Sequence, residues 1–530
     1  MRIPIRQLGS GGLSADIPAF DIPPNAVTRA QNVEFRDGAI TRALGFSRAN
    51  TVPGEAVWMD AWYSDGNGRL VVISEDSGDT LFSEIIGGVL TDITQVTPLA
   101  SGYEWDSAIH GKAAVFTNGE TLPLARKIGD TGDIAEMPNW PATWRADIIR
   151  SYRNFMVALK VTKDAVYDDT RVQWSNASAN NDLPPDWSEL DPASLAGGTS
   201  LAGQDGPIVD AAVLGQSLII YMQTAAYAMT LGGSLVMNFR PLFKLGLVSR
   251  GCVIPFDSFH FCIGNGLIYV TDGNSIKYPA DQVVQTQFFN ELADPSSIHL
   301  ANDTYRRTIE VYYKSIADLD LPNRVLRWNY QNNTWAINDY GDYGVARAKF
   351  APDSQSSVTY NSVDTDLGSG TVVTYNGAGI SYKDLDVADG QLSMKLLVRS
   401  PTDSALVSRT EVVLRDGVEF ESLAEREYMD FDEMLGEANP LLNQSVKHTK
   451  RIVPQVTGSG TIYFQFGTSM NPAQGTNWSS IYPYVIGTDY KVDFRQSGRY
   501  FAWRVYNDTS SPCEFRLSGF DLDLEVAGER

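Results

Sequence analysis

Through the middle of the chain, apolar and polar positions alternate in short runs broken by Gly, Asp and Asn. The runs are GRLVVISEDSGDTLFSEI (68–85), GKAAVFTNGETLPLARKI (111–128), RNFMVALKVTKDAVYDDTRVQWS (153–175), GQSLIIYMQTAAYAMTL (215–231), NGLIYVTDGNSIKY (265–278), the segment 307–337 and GTVVTYNGAGISYKD (370–384). Each sets a strongly apolar strand before a turn and a more amphipathic strand after it, which predicts β-hairpins. Their starts lie roughly 40 to 60 residues apart, the spacing of four-stranded propeller blades. An apolar inner strand suits a blade covered on both faces, while an amphipathic outer strand meets water. Five to seven blades would fit; a set of β-sandwiches is the competing architecture.

Two intervals interrupt this rhythm. Residues 175–207 are rich in Pro, Gly, Ser and Asp, which predicts a loop crossing between blades, and 351–370 reads as an exposed loop. Past residue 390 the texture changes. The acidic stretch EFESLAEREYMDFDEMLGEANP (419–440) reads as helical or irregular, followed by well-patterned strands over 451–469, 489–508 and 513–526. Those strands predict a C-terminal β-sandwich over 391–530, with the acidic stretch as an insertion. Near the start, NVEFRDGAITRALGF (32–46) reads as a hairpin: Asp37-Gly38 supplies a two-residue turn that places Phe35 opposite Ile40 and Val33 opposite Arg42. The expectation is an all-β chain with an N-terminal hairpin or platform segment (1–50), a β-propeller-like domain (51–390) and the sandwich.

Composition supports this division. A chain of 530 residues is too long for one core, and 43% hydrophobic content excludes wholesale disorder. Aromatic residues reach 11% and helix-favouring runs are scarce, which favours strands. The net charge of −22 argues against gripping nucleic acid through phosphate neutralisation. It leaves open an acidic wall past which a duplex slides without sticking. The one basic cluster, Lys447, Lys450 and Arg451 around His448, is short and reads as a solvated strand edge. Cys252, Cys262 and Cys513 make no disulfide framework; Cys252 and Cys262 could pair, but they read as two buried free thiols of a protein that folds in a reducing cytoplasm. MRIPIRQLGSGGLSADIP lacks the apolar core of a signal peptide, and no stretch approaches the ~20 apolar residues of a membrane span.

Candidate chemistry is thin. His110, His260, His299 and His448 are scattered, with no metal-binding spacing, and His260 in SFHFC reads as a packed strand residue. No CxxC, GxSxG or GxxxxGK[ST] pattern occurs, and the glycine-rich LGSGGLS (8–14) reads as a flexible lead-in. SEDSGDTLF (74–82) approximates the Asp-box turn of sialidase-like propellers, a structural hairpin feature present here once. DLDVADG (384–390) offers Asp384, Asp386 and Asp389 as a weak calcium candidate, one residue out of step with an EF-hand loop; an acidic turn is the default. Carboxylates are too abundant for any pair to be diagnostic of glycoside hydrolysis. The expectation is therefore no enzyme and no cofactor.

The opening GGLSADIPAFDIPPNAVTRAQNVEFRDGAITRALGF resembles the start of tail nozzle proteins of short-tailed bacteriophages (podoviruses), also called tail tubular protein B or packaged-DNA stabilisation hub proteins. The resemblance is carried by Gly11, Gly12, Asp21, Pro23, Pro24, Asn32, Val33, Phe35, Arg36, Asp37, Gly38, Arg42 and Gly45. It continues at VQWSN (172–176), Asp186-Trp187, 202–221, 227–233 and 261–273, and ends at 492–505 and 516–526; the region 280–440 matches least. The resemblance implies a structural virion protein, assembled in the host cytoplasm and resident in the tail. Such nozzles look like six copies in a ring below the head–tail adaptor, holding packaged DNA and conducting it on infection when tail fibres or spikes engage a receptor. On that reading Arg36, Asp37 and Arg42 are candidate subunit or adaptor contacts, with Arg42 sending its charge to the rim or to a carboxylate. Glu425, Glu427 and Asp430 are candidates for a lumen or inter-subunit element. The alternative function is a carbohydrate-active or glycan-binding propeller, such as a tail depolymerase.

Overall fold

The computed structural model describes residues 2–64, 67–179, 182–201, 203–232, 235–315, 320–352, 392–400, 402–410, 413–431 and 445–526. Their regular structure is almost wholly strand; one short α-helix, Gln285–Glu291, occurs among them. The chain divides into two compact units, one made of Met1–Ser47, Leu247–Gly344 and Arg409–Arg530, the other of Arg48–Gly246 and Val345–Ser408.

The second unit is propeller-like. Consecutive antiparallel meanders run Glu55–Ser64, Asn67–Asp76, Asp79–Ile86 and Val89–Asp92, then Asp106–His110, Ala113–Thr117, Leu124–Lys127 and Ala135–Glu136. Arg145–Tyr152, Phe155–Lys163, Val166–Trp174 and Gly197–Ser200 form the third, and Ile208–Leu214, Ser217–Met222, Ala226–Gly232 and Leu235–Phe243 the fourth. A fifth sheet joins Gly344–Pro352, Leu392–Arg399 and Ser404–Arg409 to Phe46–Val52, so strands from distant parts of the chain share it. Inner strands such as Ala113–Thr117 are buried throughout because both faces are covered.

Neighbouring sheets share cores. Phe82, Trp105 and Phe116 join the first and second, with Phe82 edge-on to Trp105 at 5.3 Å. Val115, Met156 and Trp187 join the second and third, and Leu159, Ile220 and Met229 the third and fourth. Met59, Leu397 and Leu406 join the fifth to the first. Charged clasps cross the same seams. Arg150 on the third sheet bonds Asp106 of the second at 2.6 Å and also Asp210 of the fourth, and Arg126 of the second reaches Glu84 of the first at 2.6 Å. The 175–207 stretch is anchored: Trp187 is fully buried against Trp140 at 4.6 Å, and Gly197–Ser200 forms the outer strand of the third sheet.

The first unit is a sandwich built from both chain ends. One sheet orders Val492–Gly498, Lys447–Ser459, Glu514–Val526, Ala39–Arg42 and Val33–Arg36, with Arg2–Arg6 also on Glu514–Val526. The other carries the meander Asp294–Asp303, Thr308–Lys314, Arg324–Asn329 and Thr334–Asp339. Arg29–Gln31 links that meander to Leu423–Met429, Tyr500–Tyr506 and Thr461–Ser469. Aromatic rings fill the space between the sheets, with Phe466 stacked on Phe494 at 3.7 Å and Trp503 edge-on to Phe520 at 5.7 Å.

The structure differs from the sequence pattern in three places. Residues 247–344, expected with the propeller, group with the chain ends, because Gln31 pairs with Ile337 and Glu34 with Arg327. The acidic stretch is strand over Leu423–Met429, held between Arg29–Gln31 and Tyr500–Tyr506; residues 432–440 lie outside the described residues. LGSGGLS is packed rather than loose. Gly12–Leu13 pairs with Ala26–Val27, and a Cβ on Gly9 would sit 2.4 Å from the Ala39 carbonyl oxygen. The hairpin at 370–384 and the calcium candidate Asp384, Asp386 and Asp389 lie outside the described residues.

His110 is buried at the seam of the second and third sheets, bonded to Ser151 Oγ at 2.8 Å and Ser178 Oγ at 3.1 Å. Burial holds its pKa below the usual 6.5, against the opposing pull of Asp182. The unfolded chain therefore binds the proton first, and stability falls as pH drops below about 6.5 toward the depressed folded value. Thermal unfolding between pH 7.5 and 5.5 should show this loss, and His110→Gln should flatten that part of the profile.

Candidate docking site at the N-terminal hairpin

The hairpin forms in the expected register, Val33 opposite Arg42 and Phe35 opposite Ile40. Asp37 and Gly38 both take positive φ, +48° and +72°, the geometry of a two-residue turn that follows strand twist. Phe35 and Ile40 are buried, whereas Arg36 and Asp37 are exposed. Asp37 pairs with Arg516 at 3.3 Å, and Arg36 has no ion-pair partner among the described residues.

Arg42 sends its charge to a carboxylate inside the fold. Its side chain is fully buried, 2.9 Å from Glu419, and donates to Phe420 O at 2.7 Å, to Ser422 Oγ at 3.2 Å and to Cys513 O. Arg42 and Arg415 both lie over the Phe420 ring, at 4.7 and 4.1 Å, and Arg415 also lies over Tyr340 at 4.7 Å. Burial lowers the pKa of Arg415 to about 10, with Arg327 and Arg42 repelling its charge. Arg42 is therefore occupied as a structural cation and is not offered to a partner.

Asn32 has the left-handed φ of +54°, which asparagine tolerates better than most residues. Its amide donates to Glu421 O at 2.7 Å and accepts from Asp339 N at 2.8 Å and Arg415 Nη2 at 2.9 Å. Its backbone N–H donates to Ile337 O and its carbonyl accepts from Ala43 N, both at 2.9 Å. Gly45 closes the motif, because a Cβ there would lie 1.7 Å from Leu414 O.

Beside the hairpin lies a buried charge network. Glu310 accepts from Arg327 at 2.6 Å, Arg409 at 2.6 Å and Tyr312 OH at 2.6 Å. Burial opposes its ionisation, but Arg327 and Arg409 outweigh that and hold its pKa far below the carboxylate range. Glu34 is lowered in the same way: burial is outweighed by Arg327, Arg306 and Arg409. Asp303 moves upward, driven by burial and the nearby Glu310 despite Arg409.

The other candidates are separate from this site. Glu425 is buried and 3.1 Å from Arg504, with its pKa raised by burial first, so it is a fold residue rather than a solvated face. Glu427 and Asp430 are half-buried. Between Glu425 and Glu427 in sequence, Arg426 is wholly buried and donates to Ile22 O at 2.7 Å and to Ala19 O, tying down the acidic-Pro segment. The basic cluster is neutralised, with Lys450 on Glu525 and Arg451 near Asp493 and Asp523, while Lys447 is buried. The Asp-box-like turn is a tight hairpin through Ser77 and Gly78, with Ser74 buried. No metal-holding cluster of His, Cys, Asp and Glu occurs among the described residues, and no helix there is long and apolar enough to cross a membrane.

The fold and site define an all-β, propeller-like protein with a sandwich of mixed N- and C-terminal strands. No family model matches the chain, and no curated protein does. Among solved structures it is similar at 10% identity to YCF48 bound to D1 peptide, with a TM-score of 0.36 over 74% of this chain and 97% of that one. It is similar at 10% identity to apo AztD from Citrobacter koseri, with a TM-score of 0.34 over 72% and 93%.

Three substitutions test the buried polar groups around the hairpin. Asn32→Gly keeps the backbone conformation but removes the amide, and should cost about 2–4 kcal/mol, read as a lower urea midpoint. Asn32→Ala should cost about 1 kcal/mol more, because it also strains φ. Glu310→Gln leaves Arg327 and Arg409 undercompensated and should cost about 3–5 kcal/mol at pH 7. In the parent, the Glu310 contribution is complete above about pH 4.5 and fades as pH falls toward the depressed folded value, so acid unfolding should narrow the gap to the variant.

Proposed function

We propose that this chain is a non-enzymatic structural subunit of a bacteriophage tail nozzle. In this reading six copies form a ring below the head–tail adaptor, close the DNA channel until infection, and then conduct the DNA without sequence-specific binding. The observation that carries the reading is the N-terminal resemblance block. Its residues Asn32, Asp37, Gly38, Arg42 and Gly45 occupy positions where turn geometry, close approach or buried hydrogen bonding demands those residue types. A likeness that includes such positions is one that a shared fold would keep. The net charge of −22 adds a second support, since an acidic channel wall repels the DNA backbone and lowers friction.

Transmission through such a ring requires two states whose contacts differ, with adaptor or fibre engagement favouring the open one. Negative-stain imaging of the purified chain with its adaptor should show a six-fold annulus with a central hole. A chain that stays monomeric with adaptor present, and that releases reducing sugar from host polysaccharide, overturns the nozzle reading in favour of a carbohydrate-active propeller.

A further inference from the structure

A cavity of about 280 Å³ opens beside the hairpin. Its lining includes Arg36, Arg42, Arg306 and Arg516, set against Glu34 and Glu514, so four arginines meet two carboxylates in a chain whose overall charge is −22. Three of these groups are already committed: Arg42 to Glu419, and Glu34 and Arg306 to each other, with Arg327 also on Glu34. The positive charge that remains most available is on Arg36, exposed and without an ion-pair partner among the described residues, and on Arg516, which pairs with the exposed Asp37 at 3.3 Å. Leu44, Val413 and Phe515 supply apolar wall.

From this geometry we infer that the cavity is a receptor for a carboxylate side chain carried on an acidic peptide segment of a protein partner. Its volume falls just under the range of about 300–1,000 Å³ typical of small-molecule sites, and suits one or two side chains. Guanidinium forks bind planar carboxylates through paired, charge-assisted hydrogen bonds. A phosphate would crowd up to two negative charges against Glu34 and Glu514, whereas a carboxylate brings one. The rigid hairpin, fastened through Asn32 and the buried Arg42, fixes the backbone at Arg36 before binding, so the ordering cost that remains is that of the side chain.

This inference does not rest on the nozzle reading, since a chain that never forms rings would bind the same probe. The test is fluorescence anisotropy of fluorescein-labelled hexaglutamate with the full chain at low salt. Saturable binding is expected, weakened by about tenfold or more in the double variant Arg36→Gln/Arg516→Gln. Both residues are at least partly exposed, so far-UV circular dichroism should be unchanged. Arg36→Lys should recover only part of the affinity, because it restores the charge without the fork. Lys450→Gln/Arg451→Gln, on the neutralised basic cluster, should bind like the parent. Absence of binding, equal binding by the Arg36/Arg516 variant, or an equal loss in the Lys450/Arg451 variant overturns the inference. Displacement of the peptide by pyrophosphate at lower concentration than by free glutamate peptide overturns the carboxylate assignment.

Discussion

The side-chain amide of Asn32 is the joint on which the first unit depends. A single buried residue in a left-handed conformation ties the N-terminal hairpin to the strand ending at Asp339, to Arg415 and to the carbonyl of Glu421. These segments are separated by hundreds of residues, and each would otherwise carry an unsatisfied polar group into the interior. With the amide in place, Arg29–Gln31 can pair on both sides and join two groups of strands into one sheet. The adjacent hairpin is thereby fixed against the C-terminal strand at Arg516–Leu517.

Around that joint an acidic protein turns several arginines inward. Arg42, Arg327, Arg409, Arg415 and Arg426 are all buried, and each meets carboxylates, carbonyls or aromatic faces, although the Nε–H groups of Arg415 and Arg426 find no acceptor among the described residues. Burying such charges contributes little net stability, because desolvation offsets the attraction. Their geometric demand is strict, however, so they select one register of the sandwich over its neighbours. The second unit uses the same device more sparingly, with Arg150 spanning three successive sheets whose shared cores are mostly apolar. In both units surface charge is left largely acidic, and Arg36 is one of the exposed arginines set against that background.

The contrast between Arg36 and Arg42 separates the hairpin's two tasks. Six residues apart, they lie on opposite sides of the turn, and both line the cavity: one is sealed into the fold by Glu419, and the other is exposed. The sealed arginine gives the hairpin rigidity, and the open one gives it something to offer a partner. A docking element needs both, because a loosely held charge loses most of its binding gain to ordering.

Local patterning was sufficient for the elements themselves. Alternation and turn chemistry determined the meanders at 68–85, 111–128, 153–175 and 215–231, and Asp37-Gly38 determined the hairpin register, since these depend on neighbours a few residues apart. Arg36 and Arg42 were legible as a pair of charges on the two sides of a turn, but not which of them is buried. Asn32, Arg415 and Arg426 carried no chemical signature of their roles, because their partners lie far away in sequence. Strand at 423–429 was obscured by its charge, which Arg504 and the backbone of residues 19–22 absorb only after folding. The sequence alone determined which residues extend and where they turn. Only the tertiary structure decided that 247–344 joins the chain ends and which charges are sealed, because both follow from long-range pairing and desolvation that no local window contains.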